Sequence, residues 1–203
     1  MDLAPDVAQP TALSAERPAW LVRVNGWRLA SLVLFGVVLV LALTTFHDYG
    51  ISWDDKVQKE YGEHILAYYE SGFTERTAVT PNDITDDGNL PYYGGSFDLL
   101  SALVSHGSPL SIYFSRHLLG AFVGIVGLLM VWRLGERLGG PRTGFFALAL
   151  LAAMPAYYGH MFINPKDLPF AVAMAAVLAA MTVIFVAAVV VVLYFLRTRR
   201  NRK

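Results

Sequence analysis

The chain has 203 residues, 55% of them hydrophobic and 16% charged, with a mean hydropathy of +0.46. That charged share lies well below the roughly 25% of soluble domains, and several uncharged runs approach the roughly 20 residues a helix needs to span hydrocarbon, so a soluble globular domain is excluded. Cysteine is absent, which excludes disulfides and thiolate chemistry; the net charge of zero hides an asymmetry, but the basic C-terminal end is a short flank of an apolar segment and not a folded basic face for nucleic acid.

Residues 1–27 hold Pro5, Pro10, Glu16 and Pro18 without the basic-then-apolar order of a secretory signal, and read as a short cytoplasmic tail. Four apolar spans follow, at about 29–46, 109–132, 143–158 and 168–196. Arg17, Arg23 and Arg28 precede the first span, and Arg133, Arg137 and Arg142 separate the second from the third. Arg197, Arg199, Arg200, Arg202 and Lys203 follow the fourth, in a basic tail over 197–203. With four spans all three basic groups fall on one side, which the positive-inside rule assigns to the cytoplasm. The expected fold is therefore all-α: a multi-pass protein of the cell (inner) membrane, both termini cytoplasmic, with a transmembrane module over 28–196.

Between His47 and Leu110 there are eleven Asp or Glu against three Lys or Arg, which suits an outer loop over 47–108. Ser52-Trp53-Asp54-Asp55 fits a capping box, a hydroxyl at the N-cap with an acid three residues on. Trp53, Val57, Tyr61, Ile65 and Tyr68 then recur at helical spacing until Gly72, predicting an amphipathic helix over about 53–70 whose aromatic stripe suits the headgroup boundary. A second short helix is expected at 96–104, with Phe97, Leu100, Leu103 and Val104 on one side. Residues 74–95, rich in Pro, Gly, Asn and Asp, read as loop.

In span two, Gly120, Gly124 and Gly127 put small residues on one helix surface and read as a packing groove. Gly139-Gly140-Pro141 predicts a tight helical hairpin between spans two and three. The last apolar run, Leu168 to Leu196, has 29 uncharged residues. As a helix it would reach about 43 Å, more than the roughly 30 Å of hydrocarbon, so it must tilt or project.

Asp54 and Asp55 fall in the first turn of a helix, where the dipole favours the ionised form. Such carboxylates can accept a proton from an attacking hydroxyl or hold a divalent cation, although helix capping alone accounts for one of them. Asp167, at the top of span four, caps that helix, pairs with Lys166 or joins a site; His160, Asn164 and Lys166 add donors for an anionic group. Arg116 lies near the outer end of span two, where its planar fork suits a phosphate, of a substrate or of membrane lipids. No metal-ligand spacing, phosphate-binding glycine loop or GxSxG appears.

Three stretches in order, GISWDDKVQKEYGEHILAYYESG, YYGGSFDLLSALVS and SRHLLGAFVGIVGLLMVWRLGERLGGPRTGFFALALLAAMPAYYGHMFINPKDLPFA, resemble the N-terminal part of the GT-C superfamily of membrane glycosyltransferases. Its protein O-mannosyltransferase and aminoarabinose-transferase branch is the nearest in pattern. The likeness covers about residues 27–180. It implies a polyprenyl-phosphate-linked sugar as donor, a lipid, glycan or protein as acceptor, and hexosyl or pentosyl transfer without a nucleotide cofactor. It further implies that Asp54 is the catalytic base, Asp55 the second acid of the pair (Asp where the family usually has Glu) and Asp167 a later loop acid of the same site. Members have many more spans, so the expectation is a glycosyltransferase or its N-terminal part. The alternative is a non-catalytic membrane module that binds polyprenyl-phosphate lipid or a partner enzyme.

Overall fold

The computed structural model describes residues 25–80 and 90–200. Most of the N-terminal tail, the tip of the acidic loop and the last three residues therefore lie outside the described part. Six α-helices follow in order: α1 (Gly26–Thr45), α2 (Asp55–Glu70), α3 (Ser96–Gly107), α4 (Ile112–Ala152), α5 (Pro155–Ile163) and α6 (Asp167–Arg200). Two 3₁₀ turns, Thr77–Val79 and Leu90–Tyr92, lie between α2 and α3, and there is no strand among the described residues. Three helices, α1, α4 and α6, are long and apolar enough to cross a membrane.

With 41 residues, α4 would measure about 60 Å if straight, twice the thickness of hydrocarbon. It is not straight. Gly140 has φ 81° and ψ −176°, a conformation open in practice only to glycine, and Pro141 supplies the fixed φ that starts the returning limb. The two limbs close on each other so tightly that a methyl group on Gly135 would lie 2.9 Å from the Cα of Gly144. The hairpin expected from Gly-Gly-Pro is thus present.

The returning limb ends earlier than the sequence suggests. A single run over 143–158 is expected, but the helix stops at Ala152, Met154 is extended (φ −79°, ψ 112°) and Pro155 opens α5. Proline disfavours a helical conformation in the residue before it and brings no N–H for the ladder, which breaks the run there. The freed helix α5 lies in the glycine groove of α4. A Cβ on Gly120 would strike the Met161 carbonyl, one on Gly124 the Met161 side chain and one on Gly127 the Tyr157 hydroxyl, which donates to the Gly124 carbonyl at 2.7 Å. Leu128 and Leu148 of α4, Val38 and Ala42 of α1, and Leu168 and Val172 of α6 complete one apolar core.

Between α1 and α4 the chain builds a small layer of α2, α3 and the two 3₁₀ turns. Of the expected capping box only half forms: the Ser52 N–H donates to Asp55 Oδ2 at 2.8 Å, while the Ser52 hydroxyl is buried without a partner and Asp54 occupies the N-cap. At the other end Gly72 takes φ 64°, and Phe73 and Gly72 donate to the carbonyls of Tyr68 and Tyr69 at 2.9 and 3.1 Å. Those two bonds make the left-handed stop expected at that glycine.

The aromatic stripe of α2 faces inward, not to the headgroups. Tyr61 is buried with Ala78 and Leu90, and Val57, Ile65 and Tyr68 pack around them; only Trp53 stands free, 97% exposed. On α3 the pattern is inverted. Phe97, Asp98, Ser101 and Ala102 are buried, while Leu100, Leu103 and Val104 are exposed. Asp98 and Ser101 of α3 thus point into the protein, while Leu100, Leu103 and Val104 point out.

Candidate functional site

The inward polar face of α3 meets the start of α4. Arg116 is 3% exposed; its Nη2 donates to Asp98 Oδ1 and its Nη1 to the Ser101 hydroxyl, each at 3.1 Å. Asp55 Oδ1 lies 3.9 Å from Arg116 Nε, which has no hydrogen-bond partner. Two buried carboxylates therefore share one guanidinium. Burying charge is costly unless it is matched, and here a negative charge is in excess. Burial pushes the Asp98 carboxyl from its ordinary 3.8 up to about 6, with Asp55 reinforcing the rise and Arg116 opposing it. Next to this cluster, His117 Nδ1 bonds the Phe46 carbonyl at 2.9 Å, tying the end of α1 to α4.

Asp54 points away from this cluster. It is exposed, and it lines a cavity of about 170 Å³ together with Ser52, Trp53, Asn164, Lys166 and Asp167. The α5–α6 link shapes the far wall. Asn164 Oδ1 accepts from the Asp167 N–H at 2.8 Å and so caps α6, while its Nδ2 donates to Asp167 Oδ2 and to His160 Nδ1, each at 3.2 Å. Asn164 thereby holds the Asp167 carboxylate and the His160 ring in fixed relation. Lys166 Nζ sits 4.1 Å from the centre of the Tyr93 ring, a cation–π contact, and no salt bridge to it occurs among the described residues. Among the described residues no three His, Cys, Asp or Glu side chains gather as a metal set.

The seven residues singled out in the sequence thus divide. Asp54, Asn164, Lys166 and Asp167 share one cavity, and His160 reaches it through Asn164. Asp55 and Arg116 lie behind it, paired with each other and with Asp98, instead of opening to a surface phosphate. Asp98 and Ser101 escaped the sequence reading. Their signal is a polar line at 98, 101 and 105 inside an otherwise apolar helix, at the three- and four-residue steps that define one helix face.

Beyond Lys166 and Gln58, which line both spaces, lies a second cavity of about 210 Å³ bounded by Tyr61, Tyr93, Asp98 and Phe170. Tyr93 arrives there through its own sequence. Gly94 follows it with φ 81°, and Gly95 lies where a Cβ would collide with Ile65, so Tyr-Tyr-Gly-Gly turns the chain sharply and presses α3 onto α2. No family model, curated protein or solved structure matches this chain.

Proposed function

We propose that the chain is a glycosyltransferase, or the N-terminal part of one, acting at the outer face of the membrane on a polyprenyl-phosphate-linked sugar. One observation carries this reading. Asp54, Lys166 and Asp167, supplied by loops far apart in sequence, line a single cavity above helices long enough to span a bilayer. In this reading the two limbs of α4 count as separate crossings, giving four with α1 and α6, and both termini lie in the cytoplasm of a cell (inner) membrane protein.

Asp54 takes the proton of an acceptor hydroxyl, on a lipid, glycan or protein, as that oxygen forms its bond to the anomeric carbon. The bond from that carbon to the phosphate oxygen breaks, and the polyprenyl phosphate leaves with the electron pair. The configuration of the anomeric carbon inverts. Lys166 offsets the charge on the leaving phosphate, with His160 as a further donor. Asp167, oriented by Asn164, positions the acceptor. Asp55 and Arg116 set the angle of α2 from behind. Asp54→Asn keeps the shape and removes the base; transfer by the membrane-reconstituted protein should fall at least about 100-fold with insertion unchanged. Undiminished transfer in that variant rejects the role.

A second reading, a non-catalytic module that binds polyprenyl-phosphate lipid or a partner enzyme, is favoured by α6. Its residues 183–194 are exposed and almost wholly apolar, and only 6% of its most apolar stretch is buried within the chain. Sugar transfer by the purified chain rejects this alternative.

A further inference from the structure

The geometry points to the cavity between Tyr93, Tyr61, Gln58, Asp98 and Lys166 as a monosaccharide subsite, in which Tyr93 stacks on the ring of the donor sugar and Asp98 reads its hydroxyls. This assignment rests on the transferase reading and gives that reaction its donor side, leaving the Asp54 cavity for the acceptor. At about 210 Å³ the space has room for one sugar ring.

The lining has the mixed character that a sugar requires. A pyranose presents C–H faces, which lie well on an aromatic ring, and a rim of hydroxyls, which need directed acceptors and donors. Tyr61 and Tyr93 supply rings, while Gln58 and Asp98 supply amide and carboxyl groups at the wall. Asp98 Oδ1 is already held by Arg116, and no bond to its Oδ2 occurs among the described residues, so one oxygen of a fixed carboxyl remains for a ligand. A buried group that expects a hydroxyl rejects an analogue lacking it, which makes Asp98 a specificity residue for the sugar.

The lipid side is also marked. Phe170 closes the cavity toward α6, and Phe170, Met174, Val177 and Met181 recur at helical spacing as an exposed apolar stripe running down from it. Lys166, beside Tyr93, stands between the two cavities where the anomeric phosphate would lie. A polar head in the cavity and an isoprenoid chain on the stripe are thus served by one continuous surface.

The test measures binding, without turnover, to the full chain in nanodiscs. The probes are bare undecaprenyl phosphate, the same lipid carrying glucose, mannose, N-acetylglucosamine or arabinose, and free hexose 1-phosphate. The expected result is that one sugar-bearing lipid binds about tenfold or more tighter than the bare lipid, while the free sugar phosphate stays weaker than about 1 mM. Tyr93→Ala and Asp98→Asn should reduce that ratio to below about twofold with bare-lipid binding unchanged, Tyr93→Phe should retain it, and Lys166→Ala should weaken both lipids alike. Absence of any ratio in the unaltered chain, or a ratio that survives Tyr93→Ala, overturns the subsite. Should Asp98→Asn fail to fold, exposed Tyr93 decides alone. A chain that discriminates among these lipids but transfers nothing overturns the catalytic reading and leaves the subsite standing; transfer with an unaltered ratio in Tyr93→Ala does the reverse.

Discussion

Asp54 and Asp55 are neighbours in sequence with opposite environments. Asp54 is exposed in a cavity, whereas Asp55 is 2% exposed and faces an arginine. Successive residues on a helix point about 100° apart, so a single step of chain separates a solvent-facing carboxylate from a core one. The same chemical group therefore serves two ends. Where a cavity leaves it open, the carboxylate is the base of the proposed transfer; where α3 and α4 enclose it, it is a structural group whose stability depends on its partners.

The contrast breaks most severely at Arg116. Arg116→Met would leave Asp55 and Asp98 buried without a cation, and should destabilise the fold by roughly 3–5 kcal/mol in a reversible detergent or urea titration. A loss below about 1 kcal/mol would show that water reaches the cluster and that the two aspartates are alike after all.

Asp98 sharpens the comparison through pH. Its carboxyl titrates near 6 in the fold against an ordinary 3.8, so between those values the folded chain binds more protons than the unfolded one. Stability from this group is complete below about pH 4 and is lost as pH rises through about 6, a change on the order of 1–3 kcal/mol. Asp98→Asn should flatten that part of the curve, and Asp54→Asn should leave it intact. A midpoint that rises between pH 4 and 7 would carry the wrong sign for this cluster.

The two aspartates themselves give the smallest stability effects and the cleanest separation. Asp55→Asn exchanges a bond to the Ser52 N–H and half of an ion pair, and should cost about 1–2 kcal/mol. Asp54→Asn should change stability by less than about 0.5 kcal/mol while lowering the proposed transfer at least about 100-fold. Equal stability losses in the pair would mean that Asp54 is structural as well.

What the sequence discloses here is local chemistry. Gly140 before Pro141, Gly72 after Tyr68 and the stripe of Gly120, Gly124 and Gly127 each state a backbone need or a close approach that only a few residues satisfy, and each reads through to the structure. The phase of α2 against its neighbours is a tertiary fact. Nothing in Trp-Asp-Asp says which carboxylate turns toward Arg116, or that the tyrosine stripe packs on Ala78 and Leu90 instead of meeting lipid. Asp98 was obscured because a lone acid among Phe97, Leu99 and Leu100 looks like a solvated interruption until α4 supplies its counterion. Met154 was obscured by hydropathy, which carries an apolar run across Pro155 without registering the lost helical bond.

The turn at Gly140 also bears on how the chain is made. With almost no connecting loop, the second limb of α4 follows directly behind the first in synthesis, and the contact of Gly135 with Gly144 joins residues close in sequence. In the proposed topology Arg137 and Arg142 lie at the bend on the cytoplasmic side, so neither would have to traverse the bilayer. A side chain at position 140 would strain the one backbone conformation that lets the two limbs meet as they are made.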